Sequence, residues 1–217
     1  MRKDDFNAQQ LLLVEGSTDK FFIGSFKDKK GIKIKPVIEC LEENTGGIEF
    51  ILKRLLSALK DESLTSIGVV VDADSNIEAA FSLISNALKQ IKKIEIGQLK
   101  ESGLIIQLTE SQKFGLWIWP NNSAKGDLES LLHSIVPKND VVFHYSQTIV
   151  SQLIEKKINP FKEKDQRKAE IYTWLAWQKE PGQPFGKAVK FSYFNLETET
   201  CNNFKSWLQR LYSNEND

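Results

Sequence analysis

Ile67-Gly68-Val69-Val70-Val71-Asp72-Ala73-Asp74-Ser75 is a short apolar run that stops abruptly on two aspartates. A run of that length without polar alternation suits a strand buried on both faces, as in a parallel sheet. Leu11-Leu12-Leu13-Val14, followed by Glu15-Gly16-Ser17-Thr18, repeats the device nearer the N-terminus. An amphipathic segment follows each run. The first carries Phe21, Phe22 and Phe26, with Ser17 or Thr18 as the expected N-cap, and the second carries Ile77, Phe81, Ile84, Leu88 and Ile91 on one face. Between them a strand is expected within residues 32–40, where Pro36 marks it as an edge or irregular strand. Gly46-Gly47 then opens a helix whose Ile48, Ile51, Leu52, Leu55, Leu56 and Leu59 form one stripe.

Residues 104–108 and 116–119 read as further strands. Asn121 to Gly126 reads as a turn-rich loop leading into a short helix from Asp127 to His133. Strands alternating with helices predict an α/β fold: a mostly parallel sheet with right-handed crossovers and helices on both faces. Beyond Pro137 the pattern turns helical, over residues 142–158, 167–178 and 203–211, with a Pro/Gly-rich joint at 180–186. The expected division is a sheet domain over residues 1–136 and a helical extension over 137–217 packed on it.

Composition narrows the function classes. Hydrophobic residues make up 41% of the 217, which supports a real core. Lys+Arg and Asp+Glu are both 29, so the formal net charge is +0. That balance argues against a protein that coats nucleic acid non-specifically, and it leaves a nuclease open, because acidic metal ligands offset basic contacts elsewhere. Cys40 and Cys201 stand far apart with no Cys or His partners at ligand spacing, so structural zinc and a disulfide scaffold are not expected. A reducing cytosol is the natural setting, and no stretch approaches the roughly 18 apolar residues of a membrane span.

In an open parallel sheet, ligands bind at the carboxyl ends of the strands. Here one strand ends in Glu15 and another in Asp72 and Asp74. Residues i and i+2 of an extended segment point to one side, so the two aspartates can share one ion. Mg²⁺ takes oxygen ligands, and a few carboxylates plus substrate phosphate is its usual protein setting. Acidic residues at strand ends also arise simply because helix N-termini favour negative charge.

LLLVEGSTDKFF (residues 11–22) and IGVVVDADS (residues 67–75) resemble the two signature motifs of the Toprim domain, shared by topoisomerases, bacterial primases, recombination-repair proteins and the overcoming-lysogenization-defect nucleases. The resemblance implies a Rossmann-like core of four parallel strands. It also implies Mg²⁺ or Mn²⁺ on Asp72 and Asp74, with Glu15 as a metal ligand or general acid/base. Glu15-x-x-x-Asp19 is similar to the ExxxD motif of the overcoming-lysogenization-defect nucleases, and KGDLESLL (residues 125–132) to a third acidic motif there. By that resemblance Asp19 and Asp127 or Glu129 join the ligand set. Five or six acids exceed what one Mg²⁺ requires and suit a two-metal site, with ions roughly 3.5–4 Å apart. Lys125 is the candidate for steadying phosphate charge in the transition state, or else a solvated loop lysine.

KAEIYTWLAWQKEPGQPFGKA (residues 168–188), the closing FKSWLQRLY (residues 204–212) and GLWIWPNN (residues 115–122) resemble a family of small stand-alone Toprim-like proteins of unknown function. Trp117, Trp119, Trp174, Trp177 and Trp207 suit core packing or base stacking, and Lys168, Lys187 and Lys190 a phosphate track or a solvated face. His133 and His144 have no Cys or His partners at ligand spacing and are not expected as metal ligands or general bases. The reading is a nuclease cutting DNA or RNA, a candidate effector of a prokaryotic defence system. A separate ATPase is the partner such resemblance implies, since the chain has no Walker motif, and self-association stays open. At this length a topoisomerase or primase lacks its accessory domains. A non-catalytic metal or phosphate module and a small-molecule phosphohydrolase are the alternatives. Asp72-Ala73-Asp74 superficially resembles the DxD of haloacid-dehalogenase-like enzymes, which expect it after the first strand.

Overall fold

The computed structural model describes residues 7–40 and 47–213. Its elements follow the chain as β1 (Asn7–Val14), α1 (Ser17–Lys29), β2 (Pro36–Glu39), α2 (Gly47–Ala58), β3 (Ser66–Asp72), α3 (Ile77–Lys92), β4 (Leu104–Gln107) and β5 (Lys113–Trp119). Then come α4 (Leu128–Ser134), α5 (Val141–Glu155), a 3-10 turn (Glu163–Asp165), α6 (Gln166–Ala176), α7 (Phe185–Lys190) and α8 (Glu199–Tyr212). Gly46, half of the expected glycine pair, lies outside the described residues.

The five strands form one sheet in the order β2-β1-β3-β5-β4. β2, β1, β3 and β5 run parallel, and β4 pairs antiparallel with β5. The α/β, mostly parallel Rossmann-like architecture is therefore present, with Pro36 opening an edge strand. The antiparallel edge has a simple cause: only residues 108–112 separate β4 from β5, too short for a parallel crossover.

Alternation along the strands splits the core in two. Leu11, Leu13, Val69, Val71, Leu116 and Ile118 face α2 and α3. Leu12, Val14, Val70, Trp117 and Trp119 face the other way, against α1, α4, α6, α7 and α8. The segment after residue 136 thus packs on the sheet and completes the core of one face. Trp117, Trp119, Trp174 and Trp207 are fully buried there, so four of the five tryptophans serve packing; Trp177 is exposed. The joint at 180–186 runs into α7, six residues too few to show a helical period. Among the described residues no helix is long and apolar enough to cross a membrane.

Helix α8 lies over a bare patch of sheet. Gly68 and Gly115 are directly paired across β3 and β5. The Tyr212 hydroxyl donates to the Leu11 carbonyl (2.6 Å), the Ser66 hydroxyl to the Leu211 carbonyl (3.0 Å), and the Trp207 indole to the Leu104 carbonyl (3.0 Å). A methyl group at Gly68 would meet the Tyr212 hydroxyl and lie 2.8 Å from Leu12 Cδ1. Gly68→Ala is therefore expected to cost about 1–3 kcal/mol, read as a lower urea midpoint at unchanged slope. An unchanged midpoint would contradict the seating of α8 on this glycine pair.

Strand order reverses between β1 and β3, since β1 leads out to β2 on one side and β3 feeds β5 on the other. That crevice, at the carboxyl ends, is where an open α/β sheet binds its ligand.

Candidate metal centre

Glu15 follows the last residue of β1 and reaches across the crevice. Its Oε1 accepts a hydrogen bond from the Asp72 backbone N–H at 2.9 Å. Gly47 opens α2 beside it, and a methyl group there would stand 2.7 Å from Glu15 Oε2. The carboxylate therefore sits against the α2 N-terminus, where the helix dipole favours an anion, and Gly47 supplies the space. Burial raises the Glu15 pKa; the Asp72 N–H opposes this and the charge of Asp74 adds to it.

Asp19 lies in the first turn of α1, only 8% exposed. Its Oδ1 accepts from the Trp119 indole at 2.9 Å. Burial pushes its pKa up to about 7 against that hydrogen bond, helped by Glu15 and Glu129. The helix begins at Ser17 with Gly16 as N-cap and no side-chain cap, so neither Ser17 nor Thr18 plays the expected part.

Asp72 ends β3, and its Oδ1 accepts from the Leu128 backbone N–H at 3.2 Å, at the start of α4. Burial, and then the charges of Asp19, Glu15, Asp127 and Glu129, push its pKa to about 9. Asp74 departs from the extended geometry that the i, i+2 argument assumes. Its φ is +48°, and its backbone exchanges two 2.8 Å hydrogen bonds with Gly126. The Asp74 carboxylate is exposed, and its charge adds to the field on Glu15.

Asp127 is the N-cap of α4, in a capping box with Ser130, and accepts from the Ser130 N–H at 2.8 Å. It is both a cap and a charge on Asp72. Glu129, in the first turn of α4, pairs with Lys168 at 3.2 Å. Lys125 is exposed on the preceding loop, beside Asp74 and Asp127 at the mouth of a groove. Lys187 and Lys190 lie away from it on α7, with Lys190 Nζ 3.8 Å from Asp28.

The fold thus gathers all six predicted carboxylates at one sheet edge. Among the described residues, no Lys, Arg or His side chain pairs with Glu15, Asp19 or Asp72, and no group of three His, Cys, Asp or Glu is arranged to chelate a metal as it stands. The donor set is all hard oxygen, which fits Mg²⁺ or Mn²⁺. Mg²⁺ keeps several waters and takes only one or two carboxylates directly, so a closed cage is not needed.

One cluster went unread in the sequence. His133 Nε2 lies 2.7 Å from Glu170 Oε2, and Gln166 donates to the other Glu170 oxygen at 2.8 Å. Burial alone would raise the Glu170 pKa; the hydrogen bonds from His133 and Gln166 outweigh it and hold the pKa low. His133 lies four residues beyond Glu129, on the same face of α4. The pairing with Glu170 spans 37 residues of chain and leaves no signal in local spacing.

A family model described as a protein of unknown function, DUF3226, matches residues 9–213. The chain belongs to the DUF3226 family. The match runs from β1 through α8 and so embraces the carboxylate edge and the C-terminal helices together. No curated protein and no solved structure matches this DUF3226 chain.

Proposed function

We propose that this DUF3226 protein hydrolyses phosphodiester bonds in nucleic acid, using Mg²⁺ or Mn²⁺ at the carboxylate edge. The observation that carries the reading is the setting of Asp72: burial first, and then the charges of four other carboxylates, push its pKa to about 9, and no basic side chain among the described residues pairs with it. Uncompensated buried carboxylates cost stability and concentrate where function requires them. The order of glutamate after β1 and aspartates after β3, which resembles the Toprim motifs, supports the same conclusion.

Asp72, Asp74 and Glu15 would hold the first ion, with Asp19, Asp127 and Glu129 available to a second. When bound, such ions acidify water and neutralise charge on phosphate oxygens. The chain supplies the rest. Where it does not ligate the ion, Glu15, with its raised pKa and its hydrogen bond from the Asp72 N–H, would take or give a proton at the scissile phosphate. Lys125, exposed at the groove mouth, meets the charge developing on the transferred phosphoryl group. Trp119 holds Asp19, and the α4 N-terminus holds Asp72, so both carboxylates enter the site already oriented. The partner that the Toprim-like motifs suggest is a separate ATPase, in a defence system.

The test is cleavage of plasmid, single-stranded DNA and tRNA in Mg²⁺ and in Mn²⁺, with and without any ATPase encoded alongside. Glu15→Gln protein is run in parallel and is expected to lose at least about 100-fold in rate. Cleavage that survives Glu15→Gln would remove the site assignment. Metal binding by calorimetry without cleavage would point to a binding module, and turnover of small esters alone to a phosphohydrolase.

A further inference from the structure

The groove that opens beside the carboxylates extends well past them. Its volume is about 930 Å³, and it runs from Asp74 and Asp127 along α4 to His133, with the 3-10 turn and the start of α6 as its far wall. Along α4, Asp127 to His133 is about 9 Å at 1.5 Å per residue, so a ligand with a single phosphate at the carboxylates leaves that wall unused. The volume is at the upper end of small-ligand pockets, and too small for a duplex to enter.

The far wall carries Lys164, Arg167 and Lys168, and Lys125 stands at the near end. Two of these cations sit where a helix does not favour them. Arg167 and Lys168 occupy the first turn of α6, which contains no acidic residue, and its N-cap Asp165 makes no side-chain capping hydrogen bond. Of the other helices, α1, α2, α3, α4 and α8 place an acid in their first turn, whereas α5 and α7 do not. The positive end of a helix dipole repels cations, and a bound anion turns that arrangement from unfavourable to favourable. Arg167 is also oriented across the groove, its Nη1 3.4 Å from the Ser130 hydroxyl on α4, and Lys168 bridges to Glu129. Glu163, Asp165 and Glu170 line the same groove, so the cations are interspersed with acids and do not form one basic face. The phosphates of a strand would meet them one by one.

We propose that this groove seats the phosphodiester backbone of one nucleic-acid strand, to one side of the phosphate at the carboxylate edge, with Lys164, Arg167 and Lys168 as its phosphate contacts. The proposal rests on the phosphodiester reading above and deepens it: the substrate is a strand, and α6 holds it.

The experiment is fluorescence anisotropy with a labelled single-stranded DNA dodecamer and its RNA counterpart, across a salt series, without catalytic metal. The wild type is compared with Lys164→Glu/Arg167→Glu, both exposed positions, with circular dichroism to verify folding. The double variant is expected to bind at least about tenfold more weakly, and its log Kd against log salt slope to shrink by about 1.4, two contacts at about 0.7 each. The arm that binds tighter names the sugar. Unchanged affinity and slope, or no binding of either strand by the wild type, overturns the proposal. The reading of the carboxylates fails separately, as an absence of Asp72-dependent hydrolysis of bis(p-nitrophenyl) phosphate, an ester too short to reach α6.

Discussion

Asp72→Asn is expected to abolish metal-dependent cleavage, by at least about 1,000-fold, while making the metal-free protein more stable. The two effects share one cause. Asp72 is the carboxylate on which the rest of the cluster converges, and its pKa of about 9 measures how strongly burial and four neighbouring acids resist its charge. At about pH 8 the unfolded chain carries that charge freely, so folding the wild type costs free energy that the amide does not. Asparagine retains an oxygen to accept the Leu128 N–H, so the anchor of α4 survives. A gain of about 2 kcal/mol corresponds to a melting temperature about 4–8 °C higher for a chain of this size. Differential scanning calorimetry in EDTA, with cleavage assays in Mn²⁺, reads both quantities. A purely structural Asp72 predicts the opposite pair, lower stability and retained activity.

The sequence disclosed the site better than the surroundings that complete it. Leu11–Val14 and Ile67–Val71 are apolar without alternation because both faces of those strands are covered, and each run stops where the sheet edge meets solvent. A chain reader can therefore place Glu15 and Asp72 at one edge from local pattern alone. The left-handed turn at Asp74 was not legible, because it depends on pairing with Gly126, more than fifty residues away. Nor was the early start of α8 at Glu199, capped by Thr198, since its first turn is polar. The groove was hidden for a different reason. Lys164 and Arg167 belong to no local motif and meet the groove only once α6 packs beside α4 and α5, and the same packing brings Glu170 to His133 across 37 residues of chain. Chemistry assembled by tertiary packing leaves no local period to read.

The stability of the metal-free protein is expected to fall as pH rises, with divalent metal reversing the trend. Asp19 and Asp72 have folded pKa values of about 7 and about 9, against ordinary values of 3.8. The folded state therefore holds protons that the unfolded state releases, and each group's contribution is complete only below about pH 4. Asp19's share is lost by about pH 7 and Asp72's by about pH 9, each at about 1.4 kcal/mol per pH unit across its window. Glu15, also raised, adds in the same direction. Glu170 works the other way, because its depressed pKa removes stability only as pH falls below its ordinary value of 4.5, outside this window. A bound cation needs these carboxylates ionised, so binding must expel the protons they hold, and metal affinity must rise with pH. Urea midpoints at about pH 5.5, 7 and 8.5, with EDTA or with about 5 mM Mn²⁺, should fall steadily in the first series and flatten or rise in the second. Calorimetric titration of Mn²⁺ in buffers of differing ionisation enthalpy should show proton release at pH 7, mainly from Asp72. Midpoints independent of pH in EDTA would mean that the carboxylates are already balanced by charge within the fold, and the argument for a cation at this edge would lose its foundation.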